Sequence, residues 1–89
     1  MNEKYQIGSR VKLVSFNGRE TPPNKIKFEE NFWKLIGIDG EIIENVPKKG
    51  IQKNRLLVRF DVTLDDLGIH NHNELPDSLW IADTDLILT

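Results

Sequence analysis

Apolar and polar positions alternate along this chain in short runs, each bounded by glycine, proline or asparagine. In Arg10-Val-Lys-Leu-Val-Ser-Phe16, Val11 and Leu13 alternate with the basic Arg10 and Lys12, the period of a half-buried strand. Glu41-Ile-Ile-Glu-Asn-Val46 reads as a second strand. Arg55-Leu-Leu-Val-Arg-Phe-Asp61 is the clearest: Leu56, Val58 and Phe60 share one face, with Arg55, Leu57 and Arg59 on the other. Ser78-Leu-Trp-Ile-Ala82 supplies a fourth strand and Leu86-Ile-Leu88 a brief fifth. Asp83-Thr-Asp85 between them is short enough for a single tight helical turn.

The connections carry their own signals. Asn17-Gly18 marks a tight turn. Pro22-Pro23 blocks regular structure after it, because proline donates no backbone hydrogen bond and restricts the residue before it. Phe28, Phe32 and Leu35 or Ile36 fall at helical spacing, which predicts a short helical turn near 28–35, closed by Gly37 and Gly40. Pro47-Lys-Lys-Gly50 is a turn, and 62–77 is a long, polar, acidic loop. The expected class is all-β: five short strands in one domain spanning 1–89, with one long loop after the first strand and another before the fourth.

The order Gly8-Ser-Arg-Val11, Leu35-Ile-Gly-Ile-Asp-Gly-Glu-Ile-Ile43, Leu57-Val-Arg-Phe-Asp61, Leu79-Trp-Ile and Asp85-Leu86 resembles bacterial Src-homology-3-like barrels, including their KOW and Tudor-like relatives. The resemblance covers about residues 7–88 and implies a five-stranded Src-homology-3-like barrel with a one-turn helix, here Asp83-Thr-Asp85, before the last strand. The aromatic-rich first loop and paired tryptophans of the peptide-binding members are missing, which turns expectation away from proline-rich ligands. Small barrels of this look also occur among bacterial immunity proteins that neutralise a cognate toxin.

Composition narrows the function. With 89 residues there is room for one core, and with no cysteine that core has neither disulfides nor thiolate metal sites to support it. The polar start, Met1 to Tyr5, and the lack of any apolar run long enough to span a bilayer predict a cytoplasmic protein without a membrane partner. Ser9, Ser15 and Ser78 have no histidine nearby in sequence, Asp65 and Asp66 are adjacent rather than opposed, and no glycine-rich phosphate loop precedes a helix. The chain is therefore expected to be no enzyme and to use no cofactor.

The net charge of −2 hides an uneven distribution. Lys48, Lys49, Lys53, Arg55 and Arg59 give the 46–60 segment five positive charges, while Asp61, Asp65, Asp66, Glu74, Asp77, Asp83 and Asp85 give 61–89 seven negative ones. Either the two blocks neutralise each other across neighbouring strands, or the acidic surface steers a basic partner. The second reading predicts a protein-interaction module that binds a protein with a basic surface through Trp33, Asp65, Asp66, Glu74 and Trp80, in a regulatory or toxin-neutralising role. Tryptophans supply buried area, and carboxylates set orientation and association rate. Trp80, between Leu79 and Ile81, faces outward if those two face the core. The alternative is a nucleic-acid-binding module using Lys48, Lys49, Lys53, Arg55 and Arg59, disfavoured because the one aromatic in that block, Phe60, belongs to the core face. His70 and His72, at i and i+2, have metal-ligand spacing with Asp65, Asp66 or Glu74, but the simpler expectation is a polar loop that hydrogen-bonds its own backbone, with no metal.

Overall fold

A computed structural model describes residues 5–71 and 75–89. The five strands are β1 (Arg10–Leu13), β2 (Asp39–Glu44), β3 (Arg55–Phe60), β4 (Ser78–Ala82) and β5 (Leu86–Leu88). They form one antiparallel sheet in the order β4-β3-β2-β1-β5. Four 3-10 turns, Phe28–Glu30, Phe32–Leu35, Leu64–Leu67 and Asp83–Asp85, complete the regular structure, so the described chain is mainly strand. No helix among the described residues is long and apolar enough to cross a membrane.

The register follows from the side-chain pattern. Leu56, Val58 and Phe60 of β3 face a core shared with Val11, Leu13, Ile42, Leu79, Ile81 and Leu86. Pairing Leu56 with Ile81 and Val58 with Leu79 keeps that face continuous; a slip by one residue would turn all of it to water. Tyr5 closes one side, buried with its hydroxyl donating to the Leu86 carbonyl at 2.8 Å.

Some expectations shift. β1 ends at Leu13 rather than Phe16, because Phe16 instead bridges to Arg19 across the Asn17–Gly18 turn. Both turn residues have positive φ, 53° and 77°, the signature of a type I′ hairpin, which asparagine and glycine tolerate best. Gly37, with φ 89°, does end the 28–35 turns, but Gly40 does not belong to that stop. It lies inside β2, where a Cβ would sit 2.7 Å from the Arg59 carbonyl oxygen and 2.8 Å from Val58 Cγ1. Leu57, expected on the outward face, is buried at 8% exposure. Its cross-strand neighbour is Trp80, and at the irregularity in β2 it pairs with Glu44, so the outer face is covered at this position while Arg59 stays exposed.

The 62–77 loop is more than a polar tether. Leu64 and Ile69 are fully buried core members. The Leu64–Leu67 turn stops at Gly68 in the left-handed region, and the Leu64 amide donates to Asp77 Oδ1 at 2.8 Å. Asn71 accepts from the Asp77 amide at 2.7 Å, the expected side-chain bond to the loop's own backbone, and donates to the Asp65 side chain at 3.3 Å.

Candidate functional site

The long β1–β2 connection and the β3–β4 loop meet on one side of the sheet. The His70 amide donates to the Glu29 carbonyl at 2.9 Å, and Lys34 Nζ donates to the Leu67 carbonyl at 3.1 Å. Lys34 also lies 3.5 Å from the centre of the Phe28 ring, a cation–π distance. The ring edge rests on Gly68, where a Cβ would collide with it. Phe28 is nevertheless 65% exposed, more than any other large apolar residue described. An exposed aromatic ring is thus held in place by an ammonium on one side and a bare backbone on another.

The turn that follows Phe28–Glu30 carries two rings of an aromatic cluster. Phe16 lies 5.5 Å from Phe32 and 4.9 Å, edge to face, from Trp33. The Trp33 indole N–H donates to the Arg19 carbonyl at 3.1 Å, so this half-buried ring fastens the Phe32–Leu35 turn to the Asn17–Gly18 hairpin. Asp85 anchors that hairpin from below. Its side chain, 1% exposed, accepts from Ser15 Oγ at 2.5 Å, from the Asn17 amide at 2.9 Å and from the Gly18 amide at 3.0 Å. Asp85 therefore contributes to turn geometry rather than to the acidic surface.

The residues singled out by sequence separate accordingly. Asp65 and Asp66 are exposed on the turn whose Leu67 carbonyl accepts from Lys34 and whose cap, Gly68, meets Phe28. Trp33 sits one residue before Lys34, on the hairpin side of the same turn. Trp80 is half-buried on the face opposite Leu79 and Ile81, as the alternation predicts. It reaches the hairpin through Arg55, whose guanidinium donates to the Trp80 carbonyl at 3.1 Å and to Asn17 Oδ1 at 3.0 Å. Glu74 and His72 lie outside the described residues. Among the described residues no three histidine, aspartate or glutamate side chains gather as a metal site.

The basic residues divide too. Arg55 is engaged as a strut, and Arg59 is exposed opposite Glu41 and Ser78. Lys48, Lys49 and Lys53 line a concavity of about 520 Å³ with Val46 and Ile51, in the turn between β2 and β3. That turn and the 62–71 loop stand at opposite ends of β3, separated by six residues of strand, or about 20 Å. Arg10 pairs with Asp61 and Lys12 approaches Asp39 at 3.9 Å, so these acids find partners on β1. The hydrogen bond to Asp61 is the main cause that raises the Arg10 pKa above its ordinary value.

Sequence reasoning placed Phe28 in a helical turn and missed it as a surface residue. Its spacing from Phe32 and Leu35 places it on their face, so no sequence signal marked it as exposed. Comparisons with protein-family models, with curated proteins and with solved structures return no match in any of the three.

Proposed function

We propose that this chain is a non-catalytic, cytoplasmic protein-interaction module built on a Src-homology-3-like barrel, and that it engages a basic protein surface through the 28–35 turns and the 64–71 loop. The barrel reading is supported by the strand order β4-β3-β2-β1-β5, the long connection after β1 and the single 3-10 turn between β4 and β5. The binding reading rests on one observation: Phe28 is exposed yet fixed between Lys34 and Gly68, the residue that caps the turn carrying Asp65 and Asp66. A ring already immobilised loses little freedom on association, so most of its buried area becomes affinity. The carboxylates on that turn orient and speed the approach of a cationic partner. A regulatory or toxin-neutralising role suits such a surface.

Affinity capture from the native lysate with the wild-type chain, Phe28→Ala and Asp65→Asn/Asp66→Asn tests this. A partner held by the wild type and lost from both variants is expected, with binding that weakens as salt rises. Retention of the partner by both variants refutes it. A second reading, nucleic-acid binding at the 46–53 concavity, draws on the three lysines that line it. A gel shift at low salt that is abolished by Lys48→Gln/Lys49→Gln/Lys53→Gln would favour this second reading.

A further inference from the structure

We propose that Asn17–Gly18 is a deamidation site that the fold keeps closed. Asn17 is the one asparagine followed by glycine in the sequence, and both residues are exposed at the hairpin tip. Glycine has no side chain to hinder its backbone nitrogen from reaching the preceding side-chain carbonyl carbon. In the reaction, Gly18 N forms a bond to Asn17 Cγ and the Cγ–Nδ2 bond breaks. Nδ2 leaves as ammonia, taking the proton from Gly18 N. Water then adds to either carbonyl carbon of the resulting succinimide, the bond from that carbon to Gly18 N breaks, and Gly18 N takes a proton from the water. The products are aspartate or isoaspartate at position 17.

In the folded chain both reacting groups are occupied. The Gly18 N–H is directed at Asp85 Oδ1, 3.0 Å away, and the Asn17 N–H at Oδ2, 2.9 Å away. Asp85 is itself buried, so the nitrogen cannot turn toward Cγ without breaking a part-buried hydrogen bond to a carboxylate that has little access to water. Arg55 holds Asn17 Oδ1 at 3.0 Å, and its own guanidinium is fixed by Gln52 Oε1 at 3.2 Å and the Trp80 carbonyl at 3.1 Å. Cyclisation therefore waits for the hairpin to open. Once it has occurred, isoaspartate adds a methylene to the main chain and removes the paired positive-φ geometry of the turn. That displaces Phe16 and the Arg19 carbonyl, which together hold Trp33.

The test is a time course at neutral pH, read by mass spectrometry of the proteolytic peptide spanning Asn17 and by an isoaspartate assay, on the folded chain and on the same chain in urea. The folded chain is expected to convert about a hundredfold more slowly, since opening precedes chemistry. Arg55→Met, with an unchanged far-ultraviolet circular dichroism spectrum, is expected to convert about tenfold faster than the folded wild type. Gly18 amide hydrogen exchange in the wild type gives an independent reading and is expected to be slowed to a matching degree. Conversion of the folded chain as fast as in urea, or Gly18 exchange at the unfolded rate, overturns the proposal. An unchanged rate in Arg55→Met overturns the part assigned to Arg55.

Discussion

Replacing Asp85 by alanine should destabilise the whole domain, although the residue lies in a three-residue turn. Its carboxylate receives Ser15 Oγ and the amides of Asn17 and Gly18, and it is 1% exposed. Hydrogen bonds to a charged acceptor are worth about 1.5–3 kcal/mol, but the two amides open to water at the hairpin tip, so about 1 kcal/mol for each of the three bonds, or about 3 kcal/mol together, is the expected loss. Small domains have roughly 5 kcal/mol or little more in total, so most of the stability goes. For a domain of this size the melting temperature should fall by roughly 12–24 °C. Asp85→Asn keeps one acceptor oxygen and should lose about half as much, and Ser15→Ala about 1 kcal/mol. Urea denaturation followed by circular dichroism, with tryptophan fluorescence as a second probe, measures all three. Asp85→Ala within about 0.5 kcal/mol of wild type, the range of an ordinary surface change, would refute the assignment of Asp85 as the anchor of the hairpin.

Other substitutions probe different contacts. Gly40→Ala forces a Cβ to 2.7 Å from the Arg59 carbonyl and should cost about 1–3 kcal/mol by urea titration, with amide exchange accelerated along β2 and β3. Leu57→Ala should cost about 2 kcal/mol or more if Leu57 is buried beside Trp80, against a few tenths for an exposed position, again by urea titration. Phe28→Ala should leave stability within about 1 kcal/mol, because the ring is largely exposed, while abolishing partner capture.

The strands were legible because alternation is a local property. Leu56, Val58 and Phe60 announce an inward face wherever the rest of the chain goes, and β4 and β5 begin and end where their apolar runs do. Features that depend on distant chain were not legible. Gly40 reads as a helix stop until β3 passes so close that a Cβ there would lie 2.7 Å from the Arg59 carbonyl oxygen. Leu57 reads as exposed until Trp80 is placed across from it. Asp85 counts as one more surface charge until the chain folds the Asn17–Gly18 hairpin over it, 67 and 68 residues away in sequence. The acidic loop hid Leu64 and Ile69 because isolated apolar residues among aspartates have no period to betray them, although Leu64 and Leu67 before Gly68 do match a short turn and its stop. The candidate surface was half legible. Asp65 and Asp66 were picked out by their charge, but the contacts by which the two loops meet and the most exposed ring, Phe28, emerged only from the packing against Lys34 and Gly68.

The most direct measurement is a map of amide chemical-shift changes in the isotope-labelled chain when it is titrated with the partner recovered by affinity capture. A surface formed by the two loops predicts the largest changes at residues 28–35 and 65–71, with Lys48, Lys49 and Lys53 unmoved. Changes concentrated at 46–53, with Phe28 and Asp66 silent, would contradict it.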